Sequence, residues 1–540
     1  METQQVSEGA RPVNALRVPV LLVLFTAAAL TEAVHCSSLS SLLGGDVWWH
    51  LSSGLWMVHN HALPHAGLFS QSPGAPWIAA SWLYDLKLAI YYRLFGLRAI
   101  PIFAMFFKLG LGLITFLLAG GWRKNFWSAV TLSAIAQYVL GALAPTPVYG
   151  SVLFFGVELL LLLESRRAGN TRLLFWLPPL FLVWANVDIH FVYGLVALLL
   201  FLAAWIAESV FSFAPSALES SAPSTHGLHR GLPSSAAPRL DSFPNPVSKV
   251  LPALAAIVIA CFVATLITPY FYHSWQAFFS HAFSAANAYL PDYKAPGFRQ
   301  PQDYILLLLA MSAFLALGLR RSRDLFLITT LAIAAGLSFH AQRDVWLTVV
   351  VSVAVIGEMI GEKIGGQADT PERDDGPPAK SQSKVFLIAI ASAIVVIIVG
   401  AAALTPRTET ALLAKAAQAY PVNASNYIRQ HQLPQPIFNS FEWGGFLTYY
   451  LPDYPVAIDG RTDLYGDDFV IQYSKAMNAE VRYTDFPAMA NARTILLPRG
   501  AIMAQALSTL PAYKVAYSDN VATVLVVTVP SVSLTSKEEP

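Results

Sequence analysis

The chain has 540 residues, 55% of them hydrophobic and only 12% charged, and its 34 basic and 33 acidic residues leave a net charge of +1. A soluble globular chain carries about 25% charged residues. Half that fraction at a mean hydropathy of +0.51 excludes an ordinary soluble enzyme, a disordered chain and a protein held by one anchor of about 20 residues, and the near-zero charge gives no sign of a nucleic-acid partner.

In chain order, apolar runs long enough to cross roughly 30 Å of hydrocarbon at 1.5 Å per residue lie near 17–35, 100–119, 126–143, 147–163, 172–187, 190–208, 251–272, 304–319, 325–340, 345–361 and 385–404. The runs 251–272 and 385–404 carry no charge at all. The expected fold class is therefore a polytopic α-helical membrane protein of about eleven spans. Basic residues cluster before or after alternate spans: Arg11 and Arg17, Arg123 and Lys124, Arg166 to Arg172, Arg230 to Lys249, Arg320 to Arg323, and Lys363 to Lys384. The positive-inside rule places all of these in the cytoplasm, with the N-terminus, provided that 80–98 does not cross. That segment, with Asp85, Lys87, Arg93 and Arg98 among its aromatics, reads as an amphipathic helix on the outer surface. The first apolar segment lacks a small-residue cleavage site and reads as a retained signal anchor. Cys36 and Cys261 are the only cysteines, which argues against a disulfide framework.

These assignments divide the chain into a transmembrane domain, 1–404, and a soluble extracytoplasmic α/β domain, 405–540. Within the first lie the outer loop 36–98 and a flexible Ser/Pro/Ala-rich cytoplasmic linker, 212–249, with a further hinge at 362–384. In the tail, 436–440, 455–460, 494–498, 513–518 and 522–528 read as short strands, and 425–431, 467–479 and 501–510 as helices. The tail has neither a G-x-G-x-x-G nor a P-loop, so nucleotide binding has no support.

Polar chemistry concentrates on the predicted outer side, where ten of the twelve histidines fall, all but His226 and His229. The densest cluster is GGDVWWHLSSGLWMVHNHALPHAGLFS at 44–70. On a helix starting at Asp46, that residue and His50 share a face. The alternatives are a helix-capping aspartate beside an interfacial aromatic belt, or a boundary carboxylate acting as general base or metal ligand. Asn186, Asp188 and His190 lie at the outer end of the fifth span. Asp188 and His190 would bring a second carboxylate and an imidazole towards Asp46, either as donors for a divalent metal or as a hydrogen-bonded structural cluster. Arg343, in SFHAQRD, is either an anion-binding guanidinium or an arginine snorkelling to headgroups. Glu158 and Lys108 lie inside spans, as functional charges or as a mutual pair. The polar loop 291–303 is suited to contact a headgroup or an acceptor. In the tail, Trp443-Gly444-Gly445 and Asp459-Gly460-Arg461 stand out, the latter as ligand-binding charges at a strand end or as a local ion pair at a turn.

The loop opening at Gly45-Asp46 and the stretch PWIAASWLYDLKLAIYYRLFGLRAIPIFAMFFKLG, 76–110, resemble the GT-C superfamily of membrane glycosyltransferases over roughly residues 17–210. Two features depart from that group's pattern. Gly45-Asp46 stands where a tandem acidic pair is common, and Ala75-Pro76 where a Pro-Pro element is common. WANVDIHFVYG, 184–194, and FNSFEWGGFLTYYLPDYPVAIDGRTDLYG, 438–466, look like uncharacterised bacterial members of that group. The resemblance implies an inverting hexosyl- or pentosyltransferase in a bacterial inner membrane. Its donor would be a polyprenyl-phosphate-linked sugar, its acceptor a lipid, glycan or protein, and its surroundings membrane lipids. Asp46, with His50, carries over as the catalytic group. Arg343, Asn186, Asp188, His190, Asp459 and Arg461 would bind substrate, with a divalent metal as an optional partner. The competing readings are a transporter or lipid flippase, which inverted repeats and broken helices would favour, and a non-catalytic scaffold with a recruiting tail.

Overall fold

The computed structural model describes residues 13–37, 46–121, 123–213, 247–360, 391–397, 399–401, 403, 406 and 408–528. Most of the linker 212–249 and the whole hinge 362–384 lie outside the described residues.

Among the described residues the helices up to Ile360 are α1 Val13–Ser37, α2 Asp46–Asn60, α3 Trp82–Phe95, α4 Ala99–Leu118, α5 Phe126–Val139, α6 Val148–Ala168, α7 Leu177–Val187, α8 Phe191–Phe213, α9 Val247–Leu266, α10 His273–Ala282, α11 Pro301–Leu319, α12 Leu325–His340 and α13 Val345–Ile360. Also among the described residues, four segments are long and apolar enough to cross a membrane: Trp82–Leu118, Val148–Ala168, Phe191–Glu208 and Pro301–Leu319. Shorter apolar helices lie at Phe126–Val139, Thr171–Val187, Val250–Leu266, Leu325–His340 and Ala391–Ala401. The chain is a helical, multi-pass membrane protein with a small sheet near its C-terminus.

Local sequence explains the boundaries. Asn125 and Asp324 cap α5 and α12 by accepting from backbone N–H groups in their first turns. Pro178 and Pro179 fall in the first turn of α7, where a missing N–H costs nothing. The apolar run 251–272 does not stay helical to its end, because α9 stops at Leu266 ahead of Thr268-Pro269. A residue before proline is steered away from helical backbone.

At one end of the bundle the basic residues are neutralised in a network. Arg166 pairs with Asp324 at 2.6 Å and with Glu208 at 3.5 Å, Arg123 and Arg167 with Glu164 at 2.5 and 2.6 Å, Lys124 with Glu358 at 3.4 Å, and Arg167 also with Glu358. Inside the bundle, Lys108 pairs with Glu32 of α1 at 3.4 Å and donates to Leu140 O at 3.0 Å. This corrects the reading of Lys108 and Glu158 as mutual partners. Glu158 is fully buried beside Gly194 and Trp184.

The tail contains α14 Glu409–Ala416, α15 Val422–Gln430, β1 Ile437–Asn439, α16 Phe441–Tyr450, α17 Asp467–Met477, β2 Thr494–Pro498, α18 Ile502–Ser508, β3 Tyr513–Ser518 and β4 Ala522–Val527. The sheet order is β1-β2-β4-β3, with β1 parallel to β2 and the other pairs antiparallel. Alternate residues face opposite sides, as the strand period requires. Ile437, Leu496 and Val524 enter one core, while Phe438, Ile495, Leu497 and Leu525 enter another.

The first of these cores is not the tail's alone. Val47, Trp48 and Leu51 of α2 and Tyr84 and Leu88 of α3 pack with Leu412, Tyr420, Phe446 and Leu447. Trp48 is completely buried, and its ring meets Tyr420, Phe446 and Tyr449 at 5.7, 5.2 and 5.2 Å. Outer loop and tail thus share one hydrophobic interior. Helix α3 takes part in it: its Asp85 is buried, whereas a surface helix would turn its acid to water.

The segment 455–460 is not a strand. Phe69 O accepts from Val456 N at 2.9 Å, Val456 O accepts from Gln71 N at 3.0 Å, and the Asn439 side chain accepts from Ala457 N and donates to Ile458 O, both at 2.8 Å. Its backbone groups are satisfied by the outer loop and one asparagine, so no neighbouring strand is needed.

Trp48→Ala should destabilise the shared core by about 3–5 kcal/mol, as for other fully buried aromatics. Thermal unfolding in detergent, together with faster proteolytic release of the tail, checks this; an unchanged midpoint would contradict the shared core.

Candidate active site

Asp46 occupies the first turn of α2, where the helix dipole favours a carboxylate. Its Oδ1 accepts from Trp49 Nε1 at 3.1 Å. It is only partly exposed, and burial pushes its carboxyl up to about 6, against the opposing pull of His50 and Trp49 and with Asp292 and Asp459 adding to the rise. His50 follows one turn later, as the spacing predicted. Its Nδ1 lies 2.5 Å from Asp85 Oδ1, and its ring stacks on Trp49 at 3.6 Å. With Asp85 ionised, Nδ1 carries a proton and donates to it.

A second cluster forms where α7 ends and α12 gives way to α13. Asp188 Oδ2 accepts from Ser151 Oγ at 2.5 Å and pairs with His190 Nδ1 at 2.7 Å. Trp184 Nε1 donates to Ser151 Oγ at 2.7 Å. His190 Nε2 faces Arg343 Nη2 at 2.5 Å. A proton on Nδ1 satisfies every contact: Asp188 accepts from it, and Nε2 accepts from the guanidinium. Burial raises the Asp188 carboxyl, but His190, Ser151 and Arg343 outweigh burial and hold it below the ordinary aspartate value. Arg343 does not snorkel. Its guanidinium lies 4.5 Å over the Tyr293 ring, donates to the Tyr293 hydroxyl, and has Asp344 Oδ1 at 3.9 Å. Burial opposes its charge, but Tyr293, Asp344 and Asp188 prevail and keep it firmly protonated.

Tyr293 belongs to the Arg343 cluster. Burial, then Asp344, Asp292 and Asp46, hold its phenol above the ordinary value against the pull of Arg343. His281 stacks edge-on at 5.7 Å from the Tyr293 ring. Burial, with Arg343 and His190 nearby, drives its pKa down to about 3, so it is neutral at physiological pH. The loop 291–303 therefore supplies Tyr293 to Arg343, and Asp292 and Tyr293 are coupled electrostatically to Asp46.

Asp459 and Arg461 are buried and paired. Arg461 Nε lies 3.0 and 3.2 Å from the two Asp459 oxygens, and Nη2 lies 2.6 Å from Oδ2. Nη2 also donates to Leu68 O at 2.7 Å, and the guanidinium covers the Trp77 ring at 4.9 Å. At 0% and 2% exposure neither head is open to a ligand, so the turn-and-ion-pair alternative describes them. Asn186 departs from its neighbours. Its amide donates to Leu182 O and Ile267 O and accepts from Trp82 Nε1 at 2.9 Å, joining α7 and α3 to the residue just past the end of α9, beside an apolar pocket of about 430 Å³.

A divalent metal does not fit this arrangement. Among the described residues no three His, Cys, Asp or Glu side chains gather as a metal site. The His190 nitrogen that would ligate one faces a guanidinium. What the arrangement offers is a carboxylate with raised proton affinity and, held by Tyr293 and His190, a fixed cation.

The sequence reading missed Asp85, Ser151, Tyr293 and His281 as members of the site. Asp85, the only acid in α3, reads from the sequence as a surface residue. Tyr293 and His281 carry a signal only through the polar loop 291–303 and the outer-side histidines, and Ser151 carries none, since a serine inside an apolar helix is an ordinary residue.

No protein-family model matches the chain, and no curated protein matches it in sequence. Among solved structures it is similar to the archaeal oligosaccharyltransferase AglB from Archaeoglobus fulgidus in complex with an inhibitory peptide and a dolichol-phosphate, at 10% identity and a TM-score of 0.49, over 91% of this chain and 70% of that one. It is also similar to ArnT from Cupriavidus metallidurans bound to undecaprenyl phosphate, at 13% identity and a TM-score of 0.28, over 96% of this chain and 98% of that one.

Two substitutions should act oppositely on stability. Asp188→Ala leaves a buried imidazole N–H and a serine hydroxyl without their acceptor and should cost about 3–5 kcal/mol. Asp46 holds its proton more tightly folded than unfolded, so its ionisation lowers stability as pH rises through about 6. Asp46→Asn should therefore raise the melting temperature at pH 8, with the gain vanishing at pH 4. Melting curves in detergent at both pH values check the pair.

Proposed function

We propose that the protein is an inverting membrane glycosyltransferase that moves a hexosyl or pentosyl group from a polyprenyl-phosphate donor to an acceptor hydroxyl. In this reading the chain crosses a bacterial inner membrane eleven times with its N-terminus in the cytoplasm, 405–540 lies on the outer side as a domain, and transfer takes place there. One observation carries the proposal: Asp46 is a carboxyl partly open to solvent and raised to about 6 by burial, and Tyr293, whose phenol feels the Asp46 charge, holds the Arg343 guanidinium. The likeness of roughly residues 17–210 to GT-C sequences, carried by Gly45-Asp46 and 76–110, supports the same reading.

The chemistry follows from these groups. The acceptor oxygen attacks the anomeric carbon and gives its proton to Asp46 Oδ. The bond from that carbon to the lipid phosphate breaks, and the phosphate leaves as an anion. A carboxylate at about 6 is an effective base near neutral pH, because it is ionised yet binds a proton more strongly than an ordinary aspartate. Arg343, oriented by His190 and Tyr293, stabilises the departing phosphate, and its planar fork suits two oxygens. Asp188 fixes His190 in the tautomer that receives Arg343, and Asp85 fixes His50 beside Asp46. These residues act through others rather than on the sugar.

Asp46→Asn, in vesicles supplied with radiolabelled lipid-phosphate sugars, should lower transfer by about 10²–10⁴-fold, the usual contribution of a general base. The wild-type rate should rise with pH through about 6. Full transfer by the variant would remove Asp46 as the base. A wild-type chain inert with every donor would favour a transporter or a scaffold.

A further inference from the structure

The tail reaches the candidate base directly, through the turn Asp459-Gly460-Arg461. A Cβ built on Gly460 would collide with Asp46 Oδ1 and come within 3.0 Å of Trp49 Nε1. Glycine is therefore the one residue that lets this turn lie against the carboxylate. The turn is held from both sides. Arg461 fastens it to the outer loop through Leu68 O and the Trp77 ring. From the other side α16 presses on it at Gly444, where a Cβ would collide with Ile458 O and meet Asp459. Thr448 of α16 donates to Ser52 of α2 at 3.1 Å, so the helix that backs the turn is also tied to the helix that carries Asp46.

We propose that Asp459-Gly460-Arg461 is a positioning element for Asp46: the ion pair anchors the turn, and Gly460 seats against the carboxylate and shields it from water. The element makes the tail a wall of the active site rather than an appended module. Its catalytic meaning rests on Asp46 being the base; its structural content does not. The titratable groups facing Asp46 are His50 on its own helix, Asp292 and Tyr293 from the loop after α10, Asp459 from the turn, and Tyr420 from the tail. Asp459 is neutralised by Arg461, so the turn acts on Asp46 chiefly by excluding water, which disfavours the charged form.

The test reads Asp46 itself. Carbodiimide labels protonated carboxyls, and peptide mass spectrometry of the full-length protein in detergent gives the pH midpoint at residue 46. Two variants leave the net charge unchanged: Gly460→Ala, which forces turn and carboxylate apart, and Asp459→Asn combined with Arg461→Gln, which releases the anchor without stranding a charge. Each should lower the midpoint from about 6 by about one unit as water reaches the carboxylate. Thermal melting confirms that each is folded; if the double variant unfolds, Gly460→Ala decides. A wild-type midpoint in a folded Gly460→Ala protein overturns the proposal. A lowered midpoint with transfer unchanged leaves the positioning element standing and removes Asp46 from the chemistry.

Discussion

The Asp459–Arg461 pair is the constraint on which the candidate site depends. Two charges withdrawn from water must satisfy one another and find partners for their remaining donors, or the fold bears several kcal/mol. Here the guanidinium grips Asp459 with two nitrogens, reaches Leu68 O and lies on Trp77, while its Nη1 is buried with no hydrogen-bond partner among the described residues. Leu68 and Trp77 belong to the loop 36–98, so these contacts hold tail and loop together. The hydrophobic interior around Trp48 makes the same junction with apolar area. Neither contact is local in sequence, and together they fix where Gly460 falls.

A similar logic orders the membrane half. Polar groups inside a bundle are costly unless paired, and several here pair in short chains, while the side-chain oxygens of Glu158, Thr330, Thr348 and Ser352 are buried with no hydrogen-bond partner among the described residues. Lys108 has Glu32 and two carbonyls. Ser151, Asp188, His190 and Arg343 form one run in which each donor meets an acceptor. That run determines the imidazole tautomer and leaves the guanidinium fixed and charged. Among the described residues Asp46 accepts from Trp49 Nε1, and burial raises its proton affinity. The contrast between a fixed cation and a carboxyl that binds its proton tightly is what gives the site its chemical character.

Much of this was legible in the chain, for identifiable reasons. Apolar runs marked the helices, because hydropathy over 18 or more residues is a strong signal. The Asp46–His50 spacing placed both on one helical face, because the helical period is fixed. Three illegible features share one cause. The segment 455–460 alternates like a strand, yet its hydrogen bonds go to Phe69, Gln71 and Asn439. Asp85 looked like a surface acid, yet it meets His50 from 35 positions away. Lys108 and Glu158 looked like partners, yet Glu32 of the first helix takes the lysine.

Composition and periodicity by themselves determined a helical membrane protein, a small α/β tail and a short roster of polar residues with chemistry to offer. Both properties are carried by neighbours along the chain, through burial and the repeat of the backbone. Only the tertiary structure decided which of those residues meet: that Asp459 and Arg461 bind one another, that Asn186 turns to Trp82, that Asp188 and His190 orient Arg343, and that a glycine from the tail lies on Asp46. Such pairings are set by desolvation and shape at contacts up to about 400 residues apart, where local pattern carries no information about the partner.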